Sequence, residues 1–497
     1  MESPNKNWWR CRLIVALIVL VVGAASMPRE QYIGDPLAIR AVAVQWLNHG
    51  EFFVPEEVAL NSGQRGQYYF QNPRNGRYYS KYGPLNTLGY LPALAVERAL
   101  TGELPLYNPG PARTLILNLN NILLSAILAL LLLEIGRLYC AQPSLAAVWV
   151  LASLYGGFGW NYLRAQTSEL AQWLWASAFM LGLLRCWRSR GAVRYQVLAS
   201  VSLSLLILLK GVYALWGPIL VVAGAALCAR ISKCSEGAKK AAPLGGLSRT
   251  RWLLYLALPL ALGAIAVLAI NYIKFGDALA SGYTQWERER HFFQGNIWEG
   301  MWGFLVSPAK SIFIYQPLLL IAVWYWPQFW RRYKGEAALI PSCFATLWIF
   351  NSCTINWGGH WSYGPRYLLV ILTPLSLSAL MGIEGWWQKR ARLKFRALLA
   401  ALAVGLLFSG WLQCQVNALD YFTYYRVEAM VQACGSPRAT SCLQRQPFGW
   451  VNFQLRRFAQ SDRLPDFAQI VAQEAPPEVS SRLQSGLMGL VKDNYWW

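Results

Sequence analysis

Between residues 13 and 415 the chain is a succession of apolar runs long enough to reach across a hydrocarbon layer, and nothing else in it constrains the fold as strongly. A bilayer core of about 30 Å takes roughly 17–25 helical residues to cross. In that solvent every backbone N–H and C=O must be paired, which leaves helices or a closed barrel. The runs lack the short alternating segments of barrel strands, so helices are expected. About eleven spans are expected, at 13–27, 113–133, 143–158, 170–185, 195–209, 212–230, 252–272, 311–326, 337–351, 367–386 and 397–416. Hydrophobic residues make up 55% of the chain and charged residues 14%, a balance that excludes an ordinary soluble domain. The expected fold class is therefore an all-α integral membrane protein whose long first outer loop carries surface helices.

A formal charge of +21 would point to nucleic acid in a soluble protein. Here the cations stand in short connections between apolar runs, as Lys6/Arg10/Arg12, Arg185/Arg188/Arg190/Arg194, Arg230/Lys233/Lys239/Lys240/Arg249/Arg251, Arg331/Arg332/Lys334 and Lys389/Arg390/Arg392/Lys394/Arg396. All of them can be cytoplasmic at once, which is the positive-inside pattern of a multi-pass membrane protein. It puts the N-terminus inside, the loops 28–112, 273–310 and 352–366 outside, and no nucleic acid among the partners. Residues 1–416 then form one polytopic domain and 417–497 a polar tail on the non-cytoplasmic side. The first run follows Lys6, Arg10 and Arg12 and ends near Ala24-Ala25-Ser26, a composition shared with secretory signals; it is read as an uncleaved first span. Cys434 and Cys442 are close enough in the chain to pair in an oxidising compartment.

Any chemistry belongs to the outer loops. Asp35, in Tyr32-Ile33-Gly34-Asp35-Pro36, lies just beyond the first run, where a carboxylate could take a proton from an acceptor hydroxyl. The same Asp-Pro pair is also a helix start signal, and residues 35–47 have apolar side chains at helical spacing suited to a membrane surface. Further on, Asn75-Gly76-Arg77-Tyr78-Tyr79-Ser80-Lys81-Tyr82-Gly83-Pro84 combines a turn with cations and tyrosines. Arg77, Tyr79, Lys81 and Tyr82 could grip a lipid phosphate or flank a sugar, or could serve as an interfacial anchor. Lys210 closes one span, with Arg164 and Glu169 in the preceding outer turn; it either snorkels or faces a polar cavity. Asn356-Trp357-Gly358-Gly359-His360-Trp361-Ser362-Tyr363-Gly364-Pro365-Arg366-Tyr367 offers Trp357, His360, Tyr363 and Arg366 to a sugar or phosphate. The three histidines, His49, His291 and His360, have no ligand spacing, so neither a metal nor another cofactor is expected.

Taken together, Asp35 after a short first span, Gly76-Arg77-Tyr78-Tyr79-Ser80-Lys81-Tyr82-Gly83-Pro84, Phe304-Leu305-Val306-Ser307-Pro308, Trp357-Gly358-Gly359 and Tyr363-Gly364-Pro365-Arg366-Tyr367 resemble the C-type membrane glycosyltransferases. The nearest in style are the protein mannosyltransferase and aminoarabinose transferase group, also known as the glycosyltransferase family 39-like group. The resemblance implies a bacterial inner-membrane enzyme that moves a sugar from a polyprenyl-phosphate donor to a glycan, lipid or protein of the cell envelope, with inversion. It implies Asp35 as the catalytic acid-loop residue and Lys81, Lys210 and Arg366 as binders of the donor phosphate. Members often carry Asp-Glu where this chain has Asp35-Pro36. Two rivals stand beside that reading: a transporter or flippase of lipid-linked precursors, which would place charges deep in the spans, and a noncatalytic envelope scaffold. No internal repeat of the kind many transporters carry is visible.

Overall fold

A computed structural model of the chain describes residues 6–28, 35–61, 68–106, 111–189, 192–236, 249–285, 291–307, 310–359 and 362–418. His360 and the Cys434/Cys442 pair lie outside the described residues. Helix α1 (Lys6–Ala25) leads into a folded loop: α2 (Asp35–His49), α3 (Glu56–Asn61), strands β1 (Tyr69–Gln71) and β2 (Tyr78–Ser80), and α4 (Pro84–Thr101). The bundle continues with α5 (Pro111–Gly136), α6 (Pro143–Tyr155), α7 (Gly159–Arg164), α8 (Ser168–Arg188), α9 (Val193–Leu209), α10 (Trp216–Glu236) and α11 (Arg249–Phe275). After a second connecting segment come α12 (Ile297–Val306), α13 (Ile312–Tyr315), α14 (Leu318–Arg332), α15 (Lys334–Ser352), α16 (Leu369–Leu375), α17 (Leu377–Gln388) and α18 (Leu393–Ala418).

Among the described residues, five stretches are long and apolar enough to cross a membrane: Asn7–Ala25, Leu115–Gly136, Leu254–Phe275, Arg366–Gln388 and Leu393–Trp411. Shorter apolar helices, Pro143–Tyr155, Val193–Leu209 and Gly211–Leu227, stand beside them. The chain is thus a multi-pass, helical membrane protein. Its centre is a core in which Trp149, Trp173 and Trp216 are fully buried. Two of their indole N–H groups find partners there: Trp149 donates to Ser376 Oγ (2.9 Å) and Trp216 to the Cys343 carbonyl (3.1 Å), while the Trp173 indole has none among the described residues. By contrast, α11 and α18 leave most of their apolar side chains on the outside of the bundle, where lipid is the natural solvent.

Serines of α9 stand against a helix defect in α11 and the carbonyl one turn beyond it. Pro259 has no N–H, so the Tyr255 carbonyl one turn earlier loses its helical donor. Ser200 Oγ of α9 reaches that carbonyl at 3.3 Å and Ser204 Oγ reaches the Pro259 carbonyl at 2.7 Å. In hydrocarbon an orphaned carbonyl would be costly, so these hydroxyls tie α9 to α11.

The folded first loop differs from a bare surface helix. Ala38, Ile39, Ala41, Val42, Ala43 and Val44 are all buried, because apolar side chains cover more than one face of α2. The hairpin and α4 close over it, and Arg40 in its middle is fully buried against Glu97 of α4 at 3.4 Å and the Pro105 carbonyl at 2.6 Å. The hairpin register pairs Tyr69 with Ser80, Phe70 with Tyr79 and Gln71 with Tyr78. Its turn closes through Gly76 N–H to the Asn72 carbonyl (2.9 Å), with Gly76 at φ +70°, a conformation that side-chain-bearing residues resist.

Candidate functional site

The loop architecture delivers β2 directly onto the ends of the bundle helices. After Ser80 the chain runs Lys81-Tyr82-Gly83 into α4, and here it meets the C-terminal end of α9. Helix ends leave carbonyls without intrahelical donors; the Leu209 carbonyl is taken by Asn86 Nδ2 at 2.9 Å. Gly83 packs so tightly on the Leu208 and Leu209 carbonyls that a Cβ would collide with that backbone. From α11, Lys274 donates to the Tyr82 carbonyl at 2.7 Å. Gly282 lies against the Lys81 backbone, again with no room for a side chain. Lys81 and Tyr82 are therefore held by the ends of α9 and α11 and by the Gly282 backbone, as well as by their own hairpin, where the Lys81 N–H donates to the Tyr68 carbonyl at 2.9 Å.

Four further side chains meet them. Asp35, the first residue of α2, accepts a hydrogen bond from the Tyr82 hydroxyl and faces Arg366 Nη2 at 3.5 Å. Arg366 Nε in turn lies 3.7 Å from Glu169 Oε1, at the start of α8. Lys210, in the break after α9, has its ammonium 4.6 Å from the centre of the Tyr367 ring and 6.0 Å from that of Tyr283. The Lys81 ammonium sits over the Tyr68 ring at 4.8 Å and the Tyr82 ring at 5.3 Å. Aromatic faces attract such cations without neutralising them.

Arg366 is placed by a glycine-rich loop clamped from both sides. Lys310 Nζ donates to the Ser362 and Gly364 carbonyls, and the Tyr162 hydroxyl donates to the Tyr363 carbonyl at 2.7 Å. Gly364 has φ +62°, and a Cβ there would meet Phe158 and Tyr315 at 2.9 Å. Gly359 leaves room for the Arg366 stem in the same way, 3.2 Å from where a Cβ would stand.

The electrostatics follow from this enclosure. Burial by itself would raise the Asp35 carboxyl, but Arg366, then Lys81, the Tyr82 hydroxyl and Lys210 outweigh it and hold Asp35 below the usual carboxylate range. Burial, and then the Asp35 charge, push the Tyr82 hydroxyl well up, so it stays a proton donor to Asp35. Lys210 is lowered to about 8, first by burial and then by Arg366, against the opposing pull of Glu169 and Asp35. Glu169 is almost fully buried, and its Oε2 has no hydrogen-bond partner. A buried carboxylate oxygen left bare beside an arginine is expensive unless the site has work to do.

Of the residues singled out in the sequence, Asp35, Lys81, Tyr82, Lys210 and Arg366 come together here. Others are engaged elsewhere. Arg77 stacks over the Phe53 ring at 4.2 Å, and Tyr79 sits in the small core under the hairpin while accepting from Asn75 Nδ2 at 3.2 Å. The Trp357 ring is wedged edge-on against Phe304 at 5.4 Å, over Gly303, and Tyr363 is buried edge-on against Tyr315. Sequence reasoning noted Glu169 without assigning it to the site. In Thr167-Ser168-Glu169 an acid in the first helical turn reads as ordinary helix-end chemistry, and only its approach to Arg366 distinguishes it.

No known family profile matches the chain, and no curated protein matches it. Solved structures do. The archaeal oligosaccharyltransferase AglB from Archaeoglobus fulgidus, in complex with an inhibitory peptide and a dolichol-phosphate, is 10% identical with a TM-score of 0.50 over 88% of this chain. This chain spans only 59% of that protein's length. ArnT from Cupriavidus metallidurans bound to undecaprenyl phosphate is 15% identical with a TM-score of 0.48, covering 95% of this chain and 81% of ArnT. At 10% identity the likeness to AglB shows a shared fold and no more.

Proposed function

We propose that this chain transfers a sugar from a polyprenyl-phosphate donor to a cell-envelope acceptor, a glycan, lipid or protein, at the outer face of a bacterial inner membrane. One observation carries the reading: the Asp35 carboxylate lies within one cluster with Lys81, Lys210 and Arg366, contributed from four separate parts of the chain. The shared fold, and the polyprenyl-type phosphates held by ArnT and AglB, support it. So does the concentration of charge at helix ends, which a flippase with charges along its path would not need. The same reading carries eleven spans, a cytoplasmic N-terminus and a non-cytoplasmic tail at 417–497, in line with the basic clusters.

In the proposed step the acceptor hydroxyl oxygen attacks the anomeric carbon from the face opposite the phosphate. Its proton passes to Asp35, the anomeric C–O bond breaks, and the electron pair leaves on the lipid phosphate, giving inversion. Lys81, Lys210 and Arg366 neutralise that leaving group, a use of fixed charge that needs no metal. Arg366 also links binding to basicity. Its distance of 3.5 Å from Asp35 leaves it free to turn to a phosphate, and Asp35 then loses the charge that most lowers its pKa. The carboxylate becomes a better base when donor is present.

The test is transfer of radiolabel from polyprenyl-phosphate hexoses and pentoses by the purified protein. Asp35→Asn should lower the rate by about 10²–10⁴-fold, the usual share of a general base. Transfer by that variant at the wild-type rate would remove Asp35 from the mechanism.

A further inference from the structure

A second charged cluster sits at the opposite end of the bundle and takes no part in the Asp35 site. Counting along α8 from Glu169 at about 1.5 Å per residue, Arg185 lies about 24 Å away. There Glu134, near the end of α5, is shared by three guanidinium groups. Arg12 of α1 donates to Oε1 from Nε at 3.1 Å and from Nη2, Arg185 of α8 donates to Oε2 at 3.0 Å, and Arg137 stands 3.9 Å from Oε2. One carboxylate against three arginines leaves two positive charges uncompensated within a few ångströms. The side chains of Arg12, Arg137 and Arg185 keep 37%, 38% and 27% of their surface open, so their remaining donors face outward.

The surface that runs away from this cluster is apolar. On α1, Trp9, Leu13, Leu17 and Val21 are all more than half exposed and repeat every fourth residue. They form one continuous stripe along the helix, while Val15 and Val19 on the other side are fully buried in the bundle. On α5, which packs against α1, Leu119, Leu123 and Ile127 repeat the pattern. A concentrated positive charge at the head of two exposed apolar stripes has the chemical form of a phosphate above two acyl chains. A free phosphate would satisfy the charge but would leave the stripes unexplained.

We propose that the Glu134–arginine cluster binds the phosphate of an anionic phospholipid in the leaflet opposite the Asp35 site, with the acyl chains lying along α1 and α5. Glu134 is the built-in competitor for the guanidinium groups, and the lipid phosphate takes the donors it leaves over.

Native mass spectrometry of the full chain in detergent, with phosphatidylglycerol and phosphatidylcholine of equal chain length, tests this. Phosphatidylglycerol should be retained preferentially, and Arg137→Gln should lower its retention about fivefold, the share of one cation facing an anionic head group. Glu134→Gln removes the competitor and should hold or raise retention, whereas a merely structural ion pair predicts a fall. Inorganic phosphate at equal concentration should displace little of the lipid. Equal retention of the two lipids, no change on Arg137→Gln, or full displacement by inorganic phosphate would each overturn the proposal. Should Glu134→Gln fail to fold, Arg137→Gln, which alters the longest of the ion pairs and the stacking of Arg137 over the Trp8 ring at 5.4 Å, decides by itself.

Discussion

Arg366 faces two carboxylates and closes a short hydrogen bond with neither, standing 3.5 Å from Asp35 and 3.7 Å from Glu169. That spacing is what a site waiting for a third anion would have. Lys210 turns the same arrangement into a pH dependence. Its ammonium is lowered to about 8, so it is charged below that pH and neutral above it. The apparent KM for a polyprenyl-phosphate donor should therefore rise as pH climbs through about 8, and Lys210→Arg, which cannot lose its proton, should flatten that limb. A limb unchanged by the substitution would assign the titration elsewhere. Asp35, held below the ordinary carboxylate range, stays ionised across neutral pH and contributes no acid limb there.

At the scale of elements, the site depends on how closely the loop meets the bundle. Gly83 lets the chain between β2 and α4 lie on the last carbonyls of α9, and Asn86 and Lys274 hold it there. Gly83→Ala should place its methyl against the Leu208 carbonyl. The resulting strain is worth about 1–3 kcal/mol. A lower melting temperature in detergent should be accompanied by weaker donor binding, since Lys81 and Tyr82 move with the segment. Wild-type donor binding by Gly83→Ala would mean that Lys81 is positioned without the Gly83 contact, by its hairpin, Gly282 and its ring contacts. The clasp that Lys310 makes on the Ser362 and Gly364 carbonyls does for Arg366 what Asn86 does for Lys81. Burial, and then Arg366, push the Lys310 amine well below its usual range.

For the whole molecule, the orientation implied by the basic clusters has a direct check. Leu279, in the segment after α11, is 79% exposed, and Leu393, at the start of α18 among the basic residues of that connection, is 81% exposed. Leu279→Cys in intact cells should react with a membrane-impermeant maleimide and Leu393→Cys only after permeabilisation; the reverse pattern would invert the topology. The sequence by itself determined that this is a helical membrane protein, because apolar runs and the placement of cations follow from the free energy of hydrocarbon and need no tertiary contacts. It also marked Asp35, Lys81, Lys210 and Arg366, since cations and acids at span ends are conspicuous against an apolar background. It noted Glu169 only in an outer turn near Lys210, offered Arg77, Tyr79 and Trp357 as ligand or interfacial contacts without showing that they pack on Phe53, Asn75 and Phe304, and gave α2 only as a helix at the membrane surface. Those were decided only by the tertiary structure. Spacing along a chain says how far apart residues are on one element, while whether Arg366 turns to Glu169 or Trp357 to Phe304 depends on which helix ends the fold brings within a few ångströms of one another.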